Sequence, residues 1–274
     1  MAFTFSFNNN FSFSSGPPPP PPTYDTDAQA YITAVETADS ASLETGVKDA
    51  INAFVVYCKA QGIWTAIKAS CILAGANTLS GALVPLAGTA PTNFNFVGGD
   101  YNRKTGLKGD GVAGVGTKYL NTNRNTNADP QDSFHMAVYG TDLTPGGFLM
   151  GAGTASGTTG RSNILATRQC RNRHDAVVGS SLTPSTPFTG TSRASSTGHT
   201  IRANGATQTP TVASVAPMNR TTLVFSTAAT GDLPVTGGYS GERIAFYSIG
   251  EAIDLTLLET AVTTLINAYA AAIP

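Results

Sequence analysis

Charge is what this chain most lacks against the usual share. Only 12% of its 274 residues are Asp, Glu, Lys or Arg, about half the usual share. Sixteen cations against seventeen acids leave a net charge of −1, too little for a global field that would collect nucleic acid or an anionic membrane surface. Cysteine is scarce as well. Cys58, Cys71 and Cys170 are widely spaced, which argues against a disulfide framework and a paired-cysteine zinc site, and predicts reduced core residues in a protein assembled in a cytoplasm. No uninterrupted apolar run approaches about 18 residues, so no bilayer span is expected. Histidine is limited to His135, His174 and His199; they are scattered and no Gly-x-Ser-x-Gly elbow accompanies them. Glutamate is missing altogether between Glu44 and Glu242.

What is abundant begins at the first residues. Phe3, Phe5, Phe7, Phe11 and Phe13 all occupy odd positions, so an extended backbone would present them as one aromatic stripe. Fully burying one phenylalanine stabilises by roughly 1.5 to 3 kcal/mol, so five would supply about 7 to 15 kcal/mol before the entropy of ordering the segment is subtracted. Residues 17–22 are all proline and predict a stiff polyproline II spacer of roughly 19 Å. The pattern predicts an anchor that seats in a partner, for instance by strand addition to an exposed sheet edge. The plainer reading is a tail, or a strand folded back on its own domain. A basic n-region and a continuous apolar stretch are both lacking, so the segment does not read as a signal peptide.

Three further segments follow. Residues 24–75 carry apolar side chains at three- and four-residue steps, among them Tyr31, Val35, Val47, Ile51, Phe54 and Val55, and predict a small helical domain over 23–76. Thr26 or Asp27 is the expected first cap, Ser40 or Ser42 the second, and Gly62 closes that helix. A third helical piece is expected over 64–73, with Trp64 packed in the core. From 77 to 249 short β-branched or aromatic runs alternate with Gly, Pro, Asn and Ser clusters, the pattern of an antiparallel sandwich. Strands are expected over 94–97, 118–121, 133–139, 147–150, 176–178, 199–203, 221–226 and 243–249. The chain then returns to helix. Thr256 to Glu259 reads as a capping box, and Leu258, Val262, Leu265 and Tyr269 form a stripe that docks on the sandwich or, alternatively, builds a short trimeric bundle.

Three stretches carry a resemblance. Residues 107–122, beginning Leu107-Lys-Gly-Asp110 and ending Lys-Tyr119-Leu-Asn-Thr122; residues 134–139, beginning Phe134-His-Met; and residues 237–252, with Gly237-Gly-Tyr239-Ser-Gly-Glu242-Arg-Ile-Ala-Phe246, are similar to concanavalin A-like jelly-roll modules of tailed-phage virion proteins. The similarity covers about residues 90–272 and leaves the aromatic segment, the prolines and the first helices outside it. It implies a lectin-like sandwich on a phage particle and says little about ligand.

Candidate chemistry is thin. The enzymatic relatives of such modules are glycanases that resemble one another in a Glu-x-Asp-x-Glu strand, because glycoside cleavage uses two carboxyls flanking the bond. That motif is missing, and Asp100, Asp110, Asp129, Asp132, Asp142, Asp175 and Asp232 show no paired spacing on one strand face. Gly109 to Gly114 matches G-x-G-x-x-G but a strand is expected after it, so it reads as a loop. The densest charge, from Arg168 to Asp175, offers Arg171 and Arg173 as forks for phosphate or an anionic sugar, against the plainer reading of a solvated strand face or subunit contact. Asn121, Asn123, Asn125 and Asp129 share odd parity, so an extended strand would line their oxygens along one face, for sugar hydroxyls or a calcium ion. Asparagine runs are more usually turns, and a single formal charge is too little for strong calcium binding.

The expected protein is therefore mainly β: an antiparallel jelly-roll β-sandwich over 77–274, with a small N-terminal helical domain and a C-terminal helix. It is expected to be a non-enzymatic virion protein, a surface decoration or short spike held to capsid or tail proteins by residues 1–22, with a homotrimer as its assembly. The alternative is a tail fibre or adhesin that recognises host surface glycan. No cofactor, metal, nucleic-acid partner or membrane span is expected.

Overall fold

The computed structural model describes residues 23–111, 116–144, 146–153 and 160–274. The expected anchor residues Phe3, Phe5, Phe7, Phe11 and Phe13 and the prolines 17–22 lie outside the described residues. Helix α1 (Thr26–Asp39) and helix α2 (Thr45–Ala60) come first, then strand β1 (Ile67–Ile72), the single-turn helix α3 (Leu79–Ala82), and strands β2 (Pro85–Ala87), β3 (Thr92–Phe94), β4 (Tyr101–Asn102) and β5 (Gly106–Lys108). Next come β6 (Tyr119–Asn125), β7 (Phe134–Asp142), β8 (Phe148–Ala152), β9 (Ser162–Leu165) and β10 (Cys170–Asn172). β11 (Phe188–Arg193), β12 (Thr200–Ala203), β13 (Ala206–Gln208), β14 (Thr221–Val224), β15 (Arg243–Gly250) and helix α4 (Leu255–Ala272) complete the chain.

The strands form two antiparallel sheets, the sandwich that the sequence predicts. One runs β13-β12-β11-β7-β15-β1-β2 with β4 and β5 attached beside β15, and the other runs β10-β9-β8-β14-β6-β3. Between the sheets lie Cys71, Leu120, Met136, Val138, Ile164, Val224 and Ile249. Alternation along β7 then sends Ala137 and Tyr139 to the other side of the larger sheet, where they meet the helices. There Phe54 of α2 packs edge-on against Phe246 of β15, ring centroids 5.9 Å apart. Leu258, Val262, Leu265 and Tyr269 of α4 are buried in the same cluster, so the terminal stripe docks on the sandwich.

Burial of the larger sheet on both faces corrects one reading. The helix expected over 64–73 is a single turn of 3-10 helix at Trp64–Ala66 followed by β1, which pairs with both β15 and β2. Nearly every residue of β1 is buried, and a strand covered on both faces lacks the period-two alternation that separates it from a short helix. Trp64 is half-buried, and its indole N–H donates to Asp27 Oδ2 at 3.0 Å.

Caps also move. Asp25 rather than Asp27 caps α1, accepting from the Asp27 N–H at 2.9 Å. Asp254 caps α4, accepting from the N–H groups of Thr256 and Leu257, two residues ahead of the expected capping box. α4 is also an 18-residue window of mean hydropathy 1.2. By length and composition alone it is long and apolar enough to cross a bilayer, although Thr256, Glu259 and Asn267 interrupt its apolar residues; its large apolar side chains are buried against α2 and the sheet.

Candidate functional site

On the outer side of the six-stranded sheet three rings come together. Phe94 of β3 and Tyr119 of β6 are register partners, and their rings stack with centroids 4.3 Å apart and planes 6° from parallel. Tyr239, from the loop before β15, tilts against Tyr119 at 6.4 Å. Leu223, Ala152 and Ala228 pack beneath them. Tyr119 is mostly buried, whereas Phe94 and Tyr239 are half-exposed, so the three make a ledge rather than a core. Burial raises the Tyr119 phenol above its ordinary range, with Tyr239 adding to it. Burial also raises Tyr239, with the neighbouring Asp110 carboxylate adding to that shift. Both hydroxyls therefore stay protonated and can donate.

Tyr239 is held there by close backbone approach. A Cβ at Gly111 would fall 2.2 Å from the Tyr239 carbonyl oxygen, and one at Gly147 would fall 2.1 Å from it. Gly147 also has φ +71°, a region that favours glycine. Asp110 folds its own loop, its carboxylate accepting from the N–H groups of Thr117 and Lys118 at 3.0–3.1 Å.

The asparagine row lies beside this ledge on β6, and the structure divides it. Asn121 pairs with Thr92 and Leu223 in register; its Oδ1 accepts from the Asn123 N–H at 2.8 Å. Asn123 leaves the strand pattern with φ +55°. Its amide N–H groups go to the Ala90 carbonyl at 2.8 Å and to Thr92 Oγ1 at 3.1 Å, stapling the edge strand. Asn125 donates to Asn219 Oδ1 and accepts from Thr221 Oγ1. Of the row, Asn121 is the member that stays in the strand on the same face as Tyr119.

The remaining expected ligand residues are brought elsewhere. Asp129 is buried and held by Arg124 through two bonds of 2.6 and 3.0 Å. Arg173 is fully buried with its guanidinium carbon 4.0 Å from the Phe134 ring centroid, and it donates to the Asp129 carbonyl; burial pulls it down to about 10. Arg171 is half-buried and donates to Asn163 Oδ1 and the Asp175 carbonyl. The run that reads as a surface fork is thus an internal frame, because β10 is too short and too enclosed to have a solvated face. Arg168, at its start, forms a fully buried ion pair with Glu242 at 2.9 Å, and burial pushes that carboxyl up to about 7 against the pull of Arg168.

The other acids are engaged in the same way: Asp100 with Lys118, Asp142 with Lys108, Asp175 with Arg161. His135 is buried between Ser248 Oγ and the Glu251 carbonyl, a satisfied sheet residue. Among the described residues no group of three or more His, Cys, Asp or Glu side chains is arranged to hold a metal.

Sequence reasoning passed over the ledge. One signal was present: Tyr119 extends the odd parity of Asn121, Asn123 and Asn125. Phe94 and Tyr239 are joined to it only by strand register and a loop.

No protein-family model matches the chain, and no curated protein matches it. Solved structures do. A Trypanosoma rangeli sialidase in complex with 2,3-difluorosialic acid, a covalent intermediate, is 14% identical with a TM-score of 0.40. The same enzyme in complex with 2-keto-3-deoxy-D-glycero-D-galacto-2,3-difluoro-nononic acid is 13% identical, also at 0.40. Each match covers 74% of this chain and 32% of the other, so the chain spans about a third of the length of the structures it matches. Against the expectation that the chain is not an enzyme stands the finding that these solved structures are of enzymes. A likeness at this TM-score assigns neither a fold nor a reaction to this chain.

Proposed function

We propose that the chain is a surface protein of a tailed-phage virion, anchored through its N-terminal phenylalanines to capsid or tail proteins and displaying the sandwich as a lectin-like knob. Supporting the first part are the aromatic stripe, the proline spacer and the similarity of residues 90–272 to virion jelly-roll modules. Of the two display roles, inert decoration and adhesion, one observation favours adhesion. Stacked Phe94 and Tyr119, tilted Tyr239 and the Asn121 amide make an apolar ledge with polar tips, the pairing of aromatic surface with a few placed hydrogen-bonding groups that ligand sites use. Such a ledge suits the C–H face of a pyranose ring, with Asn121 and the phenols reaching its hydroxyls.

Two measurements test the proposal separately. Particles assembled with the chain lacking residues 1–22 are expected to lose the knob, as seen by cryo-imaging, although the knob itself still folds; full decoration by the truncated chain would reject the anchor. A glycan array probed with the intact chain is expected to give sugar binding that Tyr239→Ala removes. Binding indifferent to that substitution would reject the ledge.

A further inference from the structure

Where β11 ends and β12 begins, the larger sheet carries a groove of about 430 Å³. Its walls are hydroxyl-bearing, with Ser195, Thr197, Thr200, Thr209 and Thr211, and His199 lines it as well. Behind the groove Arg193 is completely buried. It donates to the carbonyl oxygens of Asn172, Ser195, Gly198 and Val212 at 2.9, 3.0, 3.1 and 3.0 Å, and so frames the groove's two loops. One further contact fixes the histidine. Arg193 Nη2 lies 3.4 Å from His199 Nδ1. A guanidinium can only donate, so Nδ1 is the acceptor and the ring proton sits on Nε2.

That Nε2–H is buried, and no described residue accepts from it. His174 packs against the same ring at a centroid distance of 4.8 Å, its two nitrogens buried with only the Ala176 backbone offering them a polar contact among the described residues. The two side chains are 5% and 3% exposed. Buried polar groups left in this state call for a partner. The surroundings say which kind. Arg193 and Arg171 face His174, with Asp175 opposing them, and that aspartate is already paired with Arg161 at 3.1 Å. Arg173 feels the charge of Asp129 first and then that of Arg193; Asp129 is already paired with Arg124, and Asp132, which acts on Arg193, accepts from Ser214. The balance is positive and the unmet His199 group is a donor, so a cation is disfavoured and an acceptor with negative charge is favoured.

We propose that this groove binds an oxyanion, the carboxylate or phosphate group of an acidic sugar, with His199 Nε2–H as its central donor, the threonine hydroxyls around it and Arg193 supplying charge from behind. The site is separate from the aromatic ledge and does not depend on it.

The chain has only three histidines, which makes the test clean. Imidazole signals of the intact chain are followed by NMR at neutral pH during titration with inorganic phosphate, glucuronate and glucose. Phosphate, glucuronate or both should move the His199 and His174 signals and raise the His199 pKa, while His135, bonded at both nitrogens in the sheet, stays still. A response to one anion alone names the group, and a response to both assigns the groove to oxyanions in general. His199→Phe should weaken binding about tenfold or more, with the His135 signal reporting an intact fold. Should that variant fail to fold, Thr209→Val replaces it, with a severalfold loss expected. Unmoved His199 and His174 signals, glucose acting as strongly as glucuronate, or wild-type affinity in the variant that folds would each overturn the proposal.

Discussion

The two sheets are made of similar strands, yet they meet the rest of the molecule in opposite ways. The nine-stranded sheet is covered on its outer side by α1, α2 and α4 and shares one apolar cluster with them. On the six-stranded sheet the outer cluster is small, contains no helix residue, and ends in half-exposed rings. One sheet therefore carries apolar burial on both faces, whereas the other carries it mainly on one, and the proposed recognition ledge lies on its second face. Substitutions should separate the two.

The largest loss is expected where the covered sheet meets its helices. Phe246→Ala removes a fully buried ring that packs against Phe54 and should cost about 3 to 5 kcal/mol, read as the shift of a urea unfolding midpoint. A cost below about 1 kcal/mol would mean that the helices are only loosely seated. Close behind comes the pair inside the sandwich. Arg168→Met strands Glu242 without its partner and should also cost about 3 to 5 kcal/mol, whereas replacing both residues with apolar ones of like volume should restore much of that loss.

Acid sharpens the comparison further, because every histidine is buried. Burial lowers His135 to about 4, His174 to about 4 and His199 to about 3. Below the ordinary value of 6.5 the unfolded chain takes up protons that the folded chain refuses, so stability falls as pH drops from about 6.5 toward 4. Glu242 acts in the opposite direction. Its carboxyl is raised to about 7, so between the ordinary 4.5 and 7 the unfolded chain is the more ionised and stability falls as pH rises. The two trends oppose each other above 4.5. Below it the carboxyls of Glu44, Asp25 and Asp142, held low by Arg103, Lys59 and Lys108, add to the histidine loss, as does Glu36, where burial is outweighed by Lys48. Thermal melting from pH 7 to pH 4 checks this: His135→Gln should flatten the acid limb, and Glu242→Gln should change only the region above 4.5.

The same contrast explains what could be read from the residues. The six-stranded sheet was partly legible, since β6 and β14 fall within or beside the expected strands and Asn121 does face outward. Asn123 broke parity because a positive φ turns the chain, which no spacing rule shows. The covered sheet was harder. β1 has no alternation to detect when both its faces are buried, and β11, Phe-Thr-Gly-Thr-Ser-Arg, has too few apolar side chains to announce a central position. The arginine run from 168 to 173 suggested a ligand fork; its residues were instead claimed by Glu242, Asn163, the Asp129 carbonyl and the Phe134 ring, partners 8 to 74 positions away that only the fold brings near.

The smallest effect on stability should fall on the ledge, and there the comparison is most open to refutation. Tyr239 is half-exposed and its ring leans on Tyr119 from one side, so Tyr239→Ala forfeits part of one aromatic contact and should cost about 1 kcal/mol or less. If the ledge is a recognition surface, that small structural loss should accompany complete loss of glycan-array signal, while Tyr239→Phe, which keeps the ring and removes the hydroxyl, should retain part of it. A cost of about 3 kcal/mol or more for Tyr239→Ala would show that the ring serves the fold after all. The two outer faces would then differ in what covers them but not in what they are for.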